Sequence, residues 1–154
     1  MRYPFVFYRD SGLESWQGGC VKYFLFIPFV LIRPNYQEDE GLLRHELMHV
    51  TQSWLAAILS AILLGATGYA VAGTLGGVGM AAPIGSAAAI IGLYAHPLLY
   101  TFWAEYRLNC EVECYQEQLR FSPGRERLFA GFIATRYKLD ITEDQAFGLL
   151  HGNI

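Results

Sequence analysis

The chain has 154 residues, which is enough for one domain with a single core. Its formal net charge of -3 and pI near 5.8 provide no broad basic surface, which argues against nucleic acid as a partner. Hydrophobic residues make up 53% and charged residues only 16%, whereas about a quarter of a soluble domain is charged. The deficit is local, because no Asp, Glu, Lys or Arg occurs between Val50 and Ala104, and such segregation is typical of membrane proteins.

The cysteines do not form a disulfide pattern. Cys20, Cys110 and Cys114 are odd in number, and the last two are spaced as neighbours on a helix. We expect a reducing compartment, with Cys110 and Cys114 acting as small buried side chains. The first residues, MRYPFVFYRDSG, lack the pattern of a signal peptide.

The N-terminal third predicts a small β element followed by a helix. After an irregular start, Val21–Arg33 is rich in β-branched and aromatic residues, which indicates one strand or a bent pair. Pro28 lacks a backbone donor, so we expect an edge position or a bulge there. A helix then begins near Gly41 and carries LLRHELMHVTQSW directly into the apolar WLAAILSAILL.

Two apolar stretches follow, at residues 54–73 and 84–103, separated by TLGGVGMAAP. Each would span about 30 Å as a helix, close to the thickness of a bilayer core. A polar helix, AEYRLNCEVECYQEQLRF, comes next. Ser122 and Pro123 predict the N-cap of a helix to about Tyr137, and Thr142 with Gln145 predicts a capping box for a last short helix.

These elements predict a mainly α fold with a small N-terminal β element, in a single domain over residues 1–154. The apolar stretches form a helical hairpin between two polar helices. Small residues in both stretches favour close helix contact, and a short chain has little else to cover them, so we expect a transmembrane hairpin. The alternative is a cytoplasmic soluble homo-oligomer that buries the hairpin.

The motif with the clearest chemistry is HELMH, at residues 45–49. His45 and His49 lie one helical turn apart on the same face, so both imidazoles can bind one ion. Glu46 stands beside them and is expected to act as the general base that takes a proton from the attacking water. Imidazole and carboxylate ligands favour Zn²⁺ over Mg²⁺ or Ca²⁺. The alternative is a pair of solvated or capping histidines, but the predicted strand, helix and downstream glutamates favour a metal site.

The chain resembles a minimal gluzincin, a metallopeptidase with an HExxH helix and a glutamate from a later helix. HELMHVTQ, preceded by FIPFVLIRP and followed by EVECY, carries this resemblance. The apolar insertion is similar to that of the membrane-bound M48 peptidases related to HtpX and Ste24. The resemblance implies that His45, His49 and Glu111 bind zinc and that Glu46 is the catalytic base.

Several assignments around this motif stay open. Glu105 and Glu113 compete with Glu111 as third ligand, although Glu113 lies about 200° around the helix from Glu111. Tyr115 stands where M48 enzymes have an aspartate that orients a ligand histidine, and Gln52 lies about one turn beyond His49 and can support a ligand or be a plain surface residue. The candidate donors to a transition-state oxyanion are Tyr106, Arg107, Tyr137 and His151.

We therefore expect a zinc-dependent peptidase that acts on protein or peptide substrates at a membrane surface. The strand at residues 21–33 can bind substrate at its edge or can be an ordinary core strand. The loop between the apolar stretches has no Lys or Arg, which places the catalytic face in the cytoplasm. The alternative is a catalytically inactive zinc-binding or membrane scaffold protein, although such a protein has no need of Glu46.

Overall fold

A small three-stranded sheet forms the N-terminal part of the computed structural model, which describes residue 3, residues 5–76 and residues 78–152. The strands are β1 (Val6–Tyr8), β2 (Gly19–Phe24) and β3 (Ile27–Ile32), in the spatial order β1-β3-β2. β1 runs parallel to β3, and β2 runs antiparallel to it. The predicted β segment is therefore a bent pair, joined by a tight turn in which Leu25 has a φ of 56°.

Pro28 lies in the central strand, but in the described sheet β3 is paired on one side only at this residue, which confirms the expected edge position there. β1 pairs with β3 only at Val30, Leu31 and Ile32, whereas Pro28 pairs with Tyr23 of β2. The missing donor is tolerated because, within the part of the chain that the structure describes, β3 has a single partner strand at that residue.

Most of the remaining described chain is helical, which confirms a mainly α fold with a small N-terminal sheet. Asp39 begins the first helix, since its Oδ1 accepts a hydrogen bond of 2.9 Å from the Leu42 amide. After a short 3-10 turn at Pro34–Tyr36, the helices are α1 (Glu40–Gly76), α2 (Val78–Gly92), α3 (Ala95–Phe102), α4 (Ala104–Leu119), α5 (Glu126–Arg136) and α6 (Glu143–Leu150).

The ends of the last helices only partly match the prediction. Thr142 and Gln145 form the expected capping box at the start of α6, with both reciprocal hydrogen bonds. Ser122 does not cap α5, because its amide donates to Gln118 O in the turn that ends α4. Gly124 then has a φ of 82°, and α5 begins only at Glu126.

The chain divides into two compact units. The described residues within 1–50 and 103–154 form one, and residues 51–102 form the other. In the first unit, α4, α5 and α6 surround a core of six buried residues, which are Tyr115, Phe129, Ala130, Ile133, Ala146 and Leu150. Their contacts hold α4 in a fixed position next to α5 and α6.

In the unit of residues 51–102, α1 and α2 approach each other closely at glycines. A Cβ on Gly92 would lie 2.5 Å from the Ala61 amide nitrogen, and a Cβ on Gly65 would lie 3.0 Å from Ala89 Cβ. Only small residues allow this backbone separation. The predicted helix at residues 84–103 is not continuous, because its chain bends by 50° between Gly92 and Ala95.

One described helix, α1, is long and apolar enough to cross a membrane. Only 11% of its most apolar window of 18 residues is buried. The segments Ala81–Gly92 and Ala95–Phe102 meet the same criteria together, as one bent span. Large apolar side chains are accordingly exposed within residues 51–102, including Leu59 at 58%, Leu63 at 67% and Ile91 at 62%.

Candidate metal centre

Two histidines from the N-terminal part of α1 face the same buried space. His45 and His49 lie one helical turn apart, and their ring centroids are 5.1 Å apart. Only 4% of His45 and 8% of His49 is exposed. The alternative of two solvated histidines therefore does not describe these side chains.

The carboxylate of Glu111 on α4 reaches both imidazoles. Its Oε2 lies 3.6 Å from His45 Nε2, and its Oε1 lies 3.3 Å from His49 Nε2. Two ligands bound at 2.0–2.1 Å to one tetrahedral ion are about 3.3 Å apart. Glu111 is fully buried, and these separations are those of a set of three ligands around Zn²⁺.

The two competing glutamates of α4 lie elsewhere. Glu105 and Glu113 are both exposed, and Glu105 accepts a hydrogen bond of 3.3 Å from the indole of Trp103. Glu113 is two residues from Glu111, which turns it to the opposite face of the helix. Of the three candidates, the structure brings only Glu111 into the buried space with the histidines.

Cys114 lies next to the histidines, whereas the sequence favoured a small buried side chain over a metal ligand at this position. It is fully buried, as expected, but its thiol lies within 4.8 Å of a ring nitrogen of each histidine. A buried group formed by His45, His49 and Cys114 can hold a metal ion. Its spacing from Glu111, three residues along α4, was the signal available in the sequence, because such residues share a helix face.

Glu46 lies between the histidines in sequence and against β2 in space. Only 4% of the residue is exposed. A Cβ on Gly19, the first residue of β2, would lie 2.9 Å from Glu46 Oε1. A side chain at this point would therefore displace the Glu46 carboxylate.

Burial dominates the electrostatics of this cluster. It raises the pKa of Glu46 to about 8, with a further contribution from Glu111, and lowers the pKa of His45 to about 3, with a further contribution from His49. Burial also raises the pKa of the Cys114 thiol to about 12. For His49, the nearby Cys114 and Glu111 outweigh burial, and its pKa is raised well above the usual value.

These shifts come from the burial of several ionisable groups next to one another. A divalent ion would favour the carboxylate form of Glu111 and the neutral form of both imidazoles, which are the forms that bind metal. The donor set of two imidazoles and a carboxylate, at ligand spacing and shielded from solvent, therefore fits Zn²⁺.

Tyr115 contacts a histidine through its ring rather than its hydroxyl. The ring centroids of Tyr115 and His45 are 4.4 Å apart in an edge-to-face arrangement. The Tyr115 hydroxyl shares a hydrogen bond of 2.9 Å with the Tyr137 hydroxyl. Tyr115 thus holds the His45 ring by packing and links it to the end of α5.

Gln52, the other residue proposed to support a ligand, belongs to the unit of residues 51–102. It lies on α1 three residues after His49 and is partly buried. Gln52 is not among the described residues that line the cleft beside His45 and Glu46.

A cleft of about 280 Å³ in the first unit leads to His45 and Glu46. Of the four candidate oxyanion donors, Tyr137 alone is among the described residues that line it. Arg107 instead donates to the Tyr137 carbonyl at 3.1 Å, and His151 Nδ1 lies 2.9 Å from the Phe147 carbonyl. The Tyr115–Tyr137 contact joins residues 22 positions apart, so no local pattern could have predicted it.

Comparison with known proteins finds no matching family model, no similar curated protein and no similar solved structure. The resemblance to gluzincins therefore stays a prediction from the sequence.

Proposed function

We propose that this protein is a zinc-dependent peptidase. The observation that carries the proposal is the position of the Glu111 carboxylate, 3.6 Å from His45 Nε2 and 3.3 Å from His49 Nε2. Glu46 lies in the same buried space and is not needed to complete this ligand set. A metal site with a spare carboxylate beside it is typical of hydrolytic zinc enzymes.

The ligands and the base have separate tasks. Zn²⁺ held by His45, His49 and Glu111 would polarise the scissile carbonyl and make water nucleophilic at neutral pH. Glu46 would accept a proton from the attacking water and deliver it to the leaving amine. Burial raises the pKa of Glu46 to about 8, which is close to the neutral pH at which a general base works best.

Tyr137 is the best-placed donor to the developing oxyanion. It lines the cleft with His45 and Glu46, and its hydroxyl bonds that of Tyr115. A phenol held in this way can stabilise negative charge by donating a hydrogen bond.

β2 offers an edge at which a peptide can bind. It pairs with β3 on one side, and in the described sheet it is a terminal strand. Its first residue, Gly19, adjoins Glu46 and lines the cleft. An extended peptide added to this strand would therefore bring its backbone close to the catalytic base.

Cys114 supports a second candidate, a zinc-binding scaffold without activity. If its thiol joined His45, His49 and Glu111, zinc would have four protein ligands and no open position. Such a closed site stabilises a fold but does not hydrolyse peptides.

We also propose that the apolar part of α1, residues 54–73, and the bent pair α2 and α3 form a transmembrane hairpin. The length of α1, the exposed apolar side chains and the absence of charge support this arrangement. Residues 74–83 contain no Lys or Arg, so the positive-inside rule would place the catalytic unit in the cytoplasm. A soluble homo-oligomer is the alternative.

Zinc content and peptide cleavage of four purified variants test the function. We expect about one zinc per chain for wild type and for Glu46→Gln, with at least a hundredfold loss of activity in the latter. Glu111→Ala should lose zinc and activity, whereas the exposed neighbour Glu113→Ala should keep both. Cys114→Ser should also keep both.

Two results would contradict this assignment. Normal hydrolysis by zinc-loaded Glu46→Gln would remove the general base. Loss of zinc from Cys114→Ser, combined with an inactive wild type, would favour the closed scaffold site.

A further inference from the structure

One face of α5 lines the cleft that leads to the metal centre. The residues on this face recur at intervals of three or four along the helix, so they form a continuous stripe. The middle of the stripe is apolar and each end is an arginine; its members are Arg125, Leu128, Phe129, Phe132 and Arg136.

The arginine at the C-terminal end is held in place by aromatic rings. The Arg136 guanidinium carbon lies 3.5 Å from the Phe132 ring centroid and 5.5 Å from that of Trp16. Its Nη1 lies 3.4 Å from the Trp16 carbonyl oxygen. Stacking fixes the plane of a guanidinium and leaves its edge available for an anion.

Arg136 has no acidic partner within 4.0 Å among the described residues. By contrast, Arg127 pairs with Asp144 and Arg120 with Glu117. The acidic residues that line the cleft, Asp39 and Glu46, do not pair with Arg136. Asp39 caps α1, and Glu46 adjoins the metal ligands. The cleft therefore has a positioned cation without a counter-charge from the described chain.

A short chain of contacts connects Arg136 with the metal centre. The next residue, Tyr137, shares its hydroxyl hydrogen bond with Tyr115, whose ring packs against His45. A substrate bound across the metal would thus have neighbouring side chains within reach of the guanidinium.

We propose that Arg136 is a specificity-determining residue that binds a carboxylate of the substrate, so that the cleft selects peptides with Asp or Glu near the scissile bond. This inference rests on the proposed peptidase function, because a bound peptide is a substrate only if it is cleaved. Binding of a carboxylate by Arg136 does not itself require hydrolysis. The planar fork of Arg136 can bind both oxygens of a carboxylate.

Peptide binding to the full-length, zinc-loaded Glu46→Gln protein in detergent tests the inference without requiring cleavage. The probes are two fluorescein-labelled mixtures of random decapeptides, one with a fixed central Glu and one with a fixed central Gln. We expect the Glu mixture to bind about tenfold more tightly, as for a charge-assisted hydrogen bond. Fluorescence anisotropy gives both dissociation constants.

Substitution of the arginine should remove this preference. Arg136→Gln, added to the same background, should bind both mixtures equally, and Arg136→Lys should restore part of the preference because it keeps the charge. Arg120→Gln is the control, since it removes an arginine that is 76% exposed at its side chain. The thermal unfolding temperature of each variant checks that it folds.

A tenfold preference that survives in Arg136→Gln would overturn the inference, and so would equal binding of both mixtures by the parent protein. Cleavage of the same mixtures by wild type separates this result from the proposed function. Selective, Arg136-dependent binding without cleavage would overturn the peptidase but keep the carboxylate site. Cleavage of both mixtures at equal rates, with equal binding, would keep the peptidase and overturn the specificity.

Discussion

Glu46 shows how a single buried carboxylate connects the metal centre with folding. Its carboxylate lies against Gly19 and next to two histidines, and only 4% of the residue is exposed. Burial raises its pKa to about 8, so without metal the side chain is largely protonated at neutral pH. Metal binding and deprotonation of Glu46 should therefore favour each other.

This coupling gives a pH prediction for the metal-free protein. The pKa of Glu46 rises from 4.5 to about 8 on folding, so the folded state holds more protons than the unfolded chain between these values. Its contribution to stability is complete below pH 4.5 and is lost as the pH rises through 8. Relative to Glu46→Gln, wild type should lose roughly 4 kcal/mol of unfolding free energy between pH 5 and 8.5.

Denaturant unfolding in detergent and chelator, at a series of pH values, measures this difference. Glu113→Gln is the matched control, because Glu113 is an exposed glutamate and should follow wild type at every pH. A constant difference between wild type and Glu46→Gln across the range would show that Glu46 does not titrate in this way.

At the level of single residues, spacing within one helix could be read from the sequence. His45, Glu46 and His49 are neighbours on α1, so the pattern alone brings them together. Glu111 is 62 residues beyond His49, and only the likeness to gluzincins suggested it. Tyr137 and Arg136 reach the cleft through the packing of α5 on α4, for which the local sequence carries no signal.

At the scale of secondary-structure elements, long periodic helices could be predicted and short tertiary pairings could not. The sequence predicts a helix that begins near Gly41 and continues without a break into the apolar segment, as α1 does. β1 lies in the segment that was predicted to be irregular. Its residues, VFY, favour a strand, but three residues are too few to be assigned as one without their pairing with β3.

Helix boundaries were predicted where side chains cap them and missed where the backbone turns. Thr142 caps α6 through its own hydroxyl, which a sequence pattern reveals. Ser122 lies in the last turn after α4, so its Ser-Pro pair does not start α5. The bend after Gly92 lies next to Leu93, whose carbonyl cannot accept a helical hydrogen bond from Pro97. This proline was a signal in the sequence that the prediction of one continuous helix did not use.

At the scale of the whole molecule, the two units differ in their polarity. The unit of residues 51–102 exposes large apolar side chains, and the other unit holds all charged residues of the chain. A soluble monomer rarely exposes so much continuous apolar surface to water. The segregation was visible from composition, whereas the bend within the second apolar stretch was not.

Membrane extraction tests this division. We expect the full chain to remain with the membrane fraction after washing at alkaline pH and high salt, and to need detergent for release, because its apolar segments would lie within lipid. Release into the aqueous wash as a defined oligomer would contradict the transmembrane hairpin and favour the soluble assembly.

The central claim is that His45, His49 and Glu111 bind one zinc ion while Cys114 does not. Zinc-edge X-ray absorption of the metal-loaded full chain tests it most directly, because zinc–sulfur distances are about 2.3 Å and zinc–nitrogen distances about 2.0–2.1 Å. We predict an imidazole-containing shell of nitrogen and oxygen only, unchanged in Cys114→Ser. A sulfur scatterer at about 2.3 Å that disappears in Cys114→Ser, or a shell without imidazole, would contradict the account.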